Sequence, residues 1–555
     1  MNTETKKCQS CKNQFTIEPD DFGFYEKMGV LAPVHCPFCR FRRRSLFRNE
    51  MTLYNHACAK CGKKIISMYH PASDYVVYCL QCYESDGWDP FSHAKDYDTG
   101  RPFFDQFKEL FAKVPKQALY LPNFAAHIDS EYCNFAGPTL KNCYLIFNSG
   151  DSEDSFYSRG IRNCRGTVDA YYGTKLENAY EIVNCQESSK LFYSQNATGC
   201  LDSAFLLDCR NCQYSIGCVN LRNASYQIFN KPVTKEEYQE KMKKILGSQE
   251  ELEKFKKEFI EFSLQFPRRE NTNIRAPQSS GNFLFDSHNL HHCFESSNSQ
   301  NCRYAFFNKE TKDSLDITGY GYNAELVLEG VAVGNSQRVI GSAFIDSSHD
   351  IEYSFALTSS ENCFGCVGLK SGSYCILNKR YSKEEYHALR EKIVAELKAA
   401  GTYGQGLPPS VAPFGYNEGI GIWNLPLTKE EALAQGLNWQ DDIPMTKNPP
   451  TLIADNIPDH IEDVSDSIMQ EILACTSCAR NYRIIARELQ FYRAMGLAIP
   501  RKCFYCRHAD RVALRGPFNL YERICAHCNK KIQTTYAPER PEIVYCEECY
   551  QKEVI

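Results

Sequence analysis

At 555 residues the chain is too long for one hydrophobic core, so several structural units are expected. A formal charge of −5 and a pI near 6.3 exclude a uniformly basic nucleic-acid binder, so any such contact must come from a local patch. No stretch reaches the ~18 apolar residues of a membrane helix, and the polar opening MNTETKKCQSCKN lacks the apolar core of an export signal; the 29 cysteines are therefore expected in a cytoplasmic, reducing setting, as metal ligands or buried thiols.

Residues 1–95 carry four CxxC pairs: Cys8/Cys11, Cys36/Cys39, Cys58/Cys61 and Cys79/Cys82, separated by 24, 18 and 17 residues. Residues 468–555 repeat the same gaps with Cys475/Cys478, Cys503/Cys506, Cys525/Cys528 and Cys546/Cys549, each displaced by 467 positions. The ends are thus two copies of one module of about 76 residues. A CxxC turn presents two sulfurs to one tetrahedral ion at ~2.3 Å, and a second turn completes the shell. Four thiolates leave no open position for water, so four structural zinc ions per chain are expected, replacing the core that so short a module lacks. Spacing alone leaves the grouping open between sequential and cross-braced pairs.

The two copies share Phe24-Tyr25, Met28-Gly29 and Pro33, which recur as Phe491-Tyr492, Met495-Gly496 and Pro500. His35, His56, His508 and His527 have no histidine at the matching position, which argues against a further ligand and against an HNH-type nuclease. The run CQSCKNQFTIEPDDFGFYEKMGVLAPVHCPFCR resembles the "probable zinc-ribbon" (treble-clef-like) family, as does CTSCARNYRIIARELQFYRAMGLAIPRKCFYCR. Each run holds four cysteines, so the resemblance favours sequential pairing.

After a helical linker (96–125), the middle changes texture. Residues 126–233 and 282–381 are rich in Asn, Ser, Cys and aromatics. Asn142-Cys143, Asn163-Cys164 and Asn184-Cys185 recur every 21 residues, which suits one coil of a parallel β-helix with Asn at the corners and Cys inside. The two stretches are themselves duplicated: NCQYSIGCVNLRNASYQIFNKPVTKEEY matches NCFGCVGLKSGSYCILNKRYSKEEY, with Cys218 and Cys366 148 positions apart. Each ends in a capping box, Thr234-Lys-Glu-Glu237 or Ser382-Lys-Glu-Glu385, which starts a helix expected to cover the open end (234–281, broken near Gly247-Ser248, and 382–401). Cys209/Cys212 and Cys363/Cys366 lack partner pairs and read as interior thiols. His288, His291, His292 and Cys293 form one cluster that a metal would also suit. Residues 402–467 read as a Gly/Pro-rich linker with a short helix after Thr428. The fold class is multidomain and mainly β: tandem zinc ribbons at both ends of two solenoid segments with helical caps. The whole chain resembles an uncharacterised bacterial family with zinc modules around such NKxY(S/T)KEEY segments, which supports the architecture.

Arg40, Arg44 and Arg48 recur as Arg507, Arg511 and Arg515, at i, i+4 and i+8 along one helix face. Lys63-Lys64 recur as Lys530-Lys531. This one-sided basic row fits a phosphate backbone, RNA or the ribosome; it equally fits a solvated face, or arginines paired with carboxylates of the middle region. No nucleotide loop, nucleophile elbow or paired carboxylates appear, so the chain reads as a non-enzymatic scaffold without a small-molecule substrate or membrane partner. Its partner is RNA or the ribosome through the basic rows, or alternatively a protein or a second copy held by aromatic solenoid faces.

Overall fold

The computed structural model describes residues 3–446, 448–478 and 480–554, apart from the side chain of Tyr320. It is mainly β, with twelve α-helices among the described residues. Two large sheets, of eleven and fourteen strands, dominate the middle of the chain. No helix among the described residues is long and apolar enough to cross a membrane.

The pairing in both sheets is parallel except for a closing hairpin, and its register is twelve residues, not 21. Arg165 pairs with Glu177, Glu177 with Ser189, Ser189 with Leu201 and Leu201 with Gln213. Along this ladder every third residue takes left-handed backbone, as at Asn163, Gly166, Asp169, Tyr172 and Lys175. The chain therefore turns a corner every three residues, four times per twelve. The 21-residue recurrence of Asn-Cys is seven such steps. Asn142, Asn163 and Asn184 all sit at corners, with φ of 53°, 52° and 52°, where Asn is among the residues that best tolerate the left-handed region. Corner amides also stack: Asn184 Nδ2 donates to Asn196 Oδ1 at 2.8 Å, and Asn289 Nδ2 to Asn301 Oδ1 at 2.9 Å.

The residue after each corner points inward. Cys143, Cys164 and Cys185 are at most 3% exposed, and the same third position carries Ile146, Ser155, Ser158 and Ile161. An inward serine bonds across coils. Ser158 Oγ donates to the Phe156 carbonyl at 2.9 Å and accepts from the Ala170 amide at 3.0 Å, so a polar side chain in the core completes a backbone group that the ladder leaves open. Inward thiols donate to carbonyls in the same way, Cys143 Sγ to the Lys141 carbonyl at 3.4 Å. Burial pushes Cys143 up to about 11 and Cys185 up to about 12, so these sulfurs are packing groups. In the fourteen-stranded sheet one residue is inserted: Thr311 pairs with Ala324, thirteen positions on, and the inward series moves from Ser314 and Ile317 to Ala324 and Val327.

Asparagines finish each ladder. Asn230 Oδ1 accepts from the Val219 amide and Asn230 Nδ2 donates to the Val219 carbonyl, both at 2.9 Å; Asn378 does the same to Val367 at 2.8 Å. One side-chain amide thus stands in for the next coil's backbone. The capping boxes form as the sequence indicates, with Glu237 N to Thr234 Oγ1 and Glu385 N to Ser382 Oγ both at 3.2 Å. The helices Lys235–Gly247, Gln249–Ser263 and Lys383–Ala399 follow. They lie along the flank of the last coils, on outward corner aromatics: Phe255 packs on Phe205 and Phe229, and Tyr238 on Tyr214 and Tyr226. Residues 402–425 thread through the centre of the molecule, burying Tyr403, Leu407, Phe414, Tyr416 and Ile420.

Replacing Asn378 with Leu would leave the Val367 amide and carbonyl unbonded at a buried edge. We expect a loss of about 2–3 kcal/mol, read by denaturant unfolding, and a similar loss for Asn230→Leu.

Candidate metal centres and the arginine staples

Four groups of four cysteines converge, each with its sulfurs within 4.8 Å of one another: Cys8/Cys11/Cys36/Cys39, Cys58/Cys61/Cys79/Cys82, Cys475/Cys478/Cys503/Cys506 and Cys525/Cys528/Cys546/Cys549. The grouping is sequential. Cys11 and Cys36 sulfurs lie 3.7 Å apart, Cys61 and Cys79 3.9 Å, Cys478 and Cys503 3.7 Å, Cys528 and Cys546 3.7 Å. Sulfurs at ~2.3 Å from a tetrahedral ion stand about 3.8 Å apart, so each group fits one metal ion.

The local chain favours a thiolate at the first cysteine of each group. The third cysteine's amide donates to the first sulfur in every group: Cys36 N to Cys8 Sγ and Cys503 N to Cys475 Sγ at 3.3 Å, Cys79 N to Cys58 Sγ and Cys546 N to Cys525 Sγ at 3.2 Å. Burial opposes ionisation at Cys58, but the amides of Cys79, Cys61 and Lys60 outweigh it and bring the thiol down to about 6. Cys525 falls to about 6 for the same reason. A helix begins directly after the third cysteine, at Pro37, Leu80, Phe504 and Glu547, placing its positive end beside the thiolates.

The histidine cluster does not assemble. Among the described residues only the four cysteine groups bring three or more possible ligand atoms together. The three-residue step separates its members: His292 sits at a corner and stacks on Tyr304, Cys293 after it is fully buried in the interior, and His291 Nε2 contacts Asn289 Oδ1 at 2.9 Å.

The arginine rows lie inside the molecule. Arg40, Arg44, Arg48, Arg507, Arg511 and Arg515 are between 0 and 4% exposed, so they offer no face to a phosphate backbone. Arg40 Nε meets Asp316 at 2.8 Å, and Arg44 Nη1 meets Asp316 at 3.0 Å and Glu329 at 3.1 Å. At the other end Arg507 Nε meets Asp169 at 2.9 Å, and Arg511 meets Asp169 and Glu181 at 3.0 Å each. The acids are counterparts in the duplicated ladders, Asp169 with Asp316 and Glu181 with Glu329, their offset growing from 147 to 148 across the inserted residue. The amino-terminal module therefore docks on the second ladder and the carboxy-terminal module on the first. The aromatic stacks follow the same rule: Arg40 lies 5.1 Å from the Tyr304 ring, and Arg507 5.1 Å from the Tyr157 ring.

The third arginine of each row crosses to the other ladder; Arg48 does so from beyond the helix Pro37–Ser45, not from the helix face its spacing suggested, whereas Arg515 is the last residue of the helix Phe504–Arg515. Arg48 Nη2 donates to Asn148 at 3.2 Å, and Arg515 Nη1 pairs with Glu295 at 3.0 Å and donates to Asn424 at 2.8 Å. Glu50 joins Arg48 at 2.6 Å to Arg159 at 2.7 Å. Gly319 makes room for this: its φ is +76°, and a Cβ there would stand 2.5 Å from Arg48 Nη1. Lys63, Lys64, Lys530 and Lys531 are the members of the basic set left exposed. The signal for the pairing was present in the sequence as acids repeated at matching places in both ladders.

No family model and no curated protein matches the chain. Among solved structures it is similar to a "putative acetyltransferase" from Desulfovibrio desulfuricans G20, at 12% identity over 47% of this chain and 69% of that one, with a TM-score of 0.11. A score that low carries no argument about fold or activity.

Removing one partner from a buried pair costs about 3–5 kcal/mol, whereas replacing both with apolar groups is close to neutral. We expect Arg40→Met and Asp316→Leu each to lose stability on that scale, and the double variant to lose less than the sum of the two because Asp316 also serves Arg44, in a denaturant-based double-mutant cycle. Burial raises the Glu50 carboxyl, and Arg159 with Arg48 outweighs it, leaving the group below its ordinary 4.5. The stability it supplies is therefore complete above about pH 4.5 and is lost as pH falls through the depressed value. Glu50→Gln should be less stable at pH 7 and should show a flatter stability profile than the native chain below pH 4.5.

Proposed function

We propose that the chain is a non-enzymatic, zinc-dependent scaffold in which two β-solenoids are clamped crosswise by tandem zinc ribbons. The observation that carries this reading is the burial of both arginine rows against carboxylates of the opposite ladder. Four thiolates per site leave no coordination position for substrate, and zinc is the ion that best suits a closed four-sulfur shell without redox chemistry. The helix bearing Arg40 and Arg44 and the helix bearing Arg507, Arg511 and Arg515 each start at a ligand cysteine, so metal at that site sets the helix that staples the solenoids.

Some of the aromatic corners are used within the chain, since Phe135 packs on Phe344 and Phe344 on Phe355. What the solenoids offer outward is a polar flank of alternating charge, such as Lys141 with Glu153 at 2.6 Å and Lys175 with Glu187 at 2.9 Å. A partner held there is recognised by polar contacts.

Elemental analysis of the native chain should find four zinc ions. Cys61→Ser should lower the count by one with the fold retained, and Cys36→Ser should also loosen the docked arginine helix, seen as faster amide exchange across residues 37–45. Two or fewer ions in the native chain, or unchanged exchange in Cys36→Ser, would sink the clamp.

A further inference from the structure

The duplication supplies an internal control. What both halves share is needed to build the clamp; what one half alone carries is not. One cluster breaks the symmetry. Where the carboxy-terminal module meets the last coils of the first ladder, Arg210 and Arg222 are register partners on adjacent parallel strands, and Arg268-Arg269 pair alongside with Val544-Tyr545. The matching places in the other half are Thr358, Lys370, Lys116 and Gln117.

Like charges in direct register repel, and other register columns of the ladders pair opposite signs, as in Lys141–Glu153, Lys175–Glu187 and Arg338–Asp350. In the other half Lys370 is neutralised by Glu84 at 2.9 Å. The counterpart of Glu84 beside Arg222 is Gln551. Of the four guanidinium groups here, Arg269 alone makes an ion pair among the described residues. Glu547 lies 3.1 Å from Arg269, while Arg222 donates to the Asp208 carbonyl rather than to its carboxylate. Arg222 Nε is buried without a hydrogen-bond partner, and Arg210 is exposed with no ion pair among the described residues. Glu270 and Glu542 stand nearby; the second is engaged by Arg540. Arg269 lies 5.0 Å from the Tyr550 ring, and Tyr550 OH donates to Asn220 at 2.8 Å.

We propose that this junction, centred on Arg210, Arg222 and Arg269, is an oxyanion site that takes a phosphate group. Guanidinium forks suit its tetrahedral oxygens, and the bound group supplies the charge that Glu84 supplies to Lys370 in the other half. The site borders the last cysteine group, but none of its arginines is a metal ligand or a member of the buried rows, so its failure leaves the scaffold reading standing.

The full-length, metal-loaded protein is titrated calorimetrically with inorganic phosphate, against chloride at matched ionic strength, and by fluorescence anisotropy with a 12-nucleotide single-stranded RNA. Phosphate should bind, and the exposed-site variant Arg210→Gln should weaken it at least tenfold. Gln551→Glu, which restores the missing acid, should abolish binding while raising the melting temperature. Lys370→Gln, in the matching place, should leave binding unchanged. RNA that binds with the same variant dependence and is displaced by phosphate places the group in a phosphodiester backbone; phosphate binding alone places it in a free phosphate or phosphomonoester. No binding of either ligand by the native chain, or binding indifferent to Arg210→Gln and Gln551→Glu, overturns the site.

Discussion

The buried arginine–carboxylate pairs are the constraint on which the rest of this molecule depends. Bringing a guanidinium and a carboxylate out of water costs several kcal/mol per ion, which only well-placed partners offset. Arg40, Arg44, Arg507 and Arg511 meet that demand because each reaches an acid at 2.8–3.1 Å. Such pairs tolerate little displacement, so both helix and ladder must be rigid beforehand. A closed thiolate site at the start of each arginine helix supplies rigidity on one side. The stacked coils supply it on the other.

That stacking rests on a three-residue step. With a corner after every third residue, only one side chain in three enters the interior, and the space suits Cys, Ser, Ala and the branched aliphatics. Outward corners then carry whatever the neighbours require: Asp169 and Glu181 toward the arginine helix, Phe205 and Phe229 toward the flanking helix. Because Asp169 and Glu181 are twelve apart, they stand on adjacent coils at the same corner, the spacing needed to meet arginines one helical turn apart. Coil pitch and helix pitch are close enough, about 4.8 Å and 5.4 Å, for the two rows to mesh.

Much of this was legible in the sequence, unevenly. Cysteine spacing identified the sixteen ligands and left their grouping open until the folded chain brought them together in sequential sets, and the capping boxes at Thr234 and Ser382 formed because their chemistry is local. The coil length was not legible. Asn-Cys pairs fall on any multiple of three, so 21 was as visible as twelve, and the register depends on contacts between distant turns. The arginine rows were seen and their face recognised, but an i, i+4, i+8 row looks the same in sequence whether it meets phosphate or carboxylate. The deciding partners lie more than 270 residues away along the chain.

Duplication also changes what a residue's presence means. A single copy cannot separate an arginine kept for the fold from one kept for a ligand, since both are buried and both are bonded. Two copies can. Arg40 and Arg507 do the same work against Asp316 and Asp169, and that agreement marks them as architectural. Tyr157 and Tyr304, beneath them, agree as well. At the far end of each ladder the agreement fails: one half pairs a lysine with a glutamate, while the other crowds arginines and replaces the glutamate with Gln551. A fold that is satisfied with Lys370 and Glu84 does not require Arg210 and Arg222. Like charges in register lower stability, and a feature with that cost, absent from the copy, is where selection for something other than the fold is to be sought.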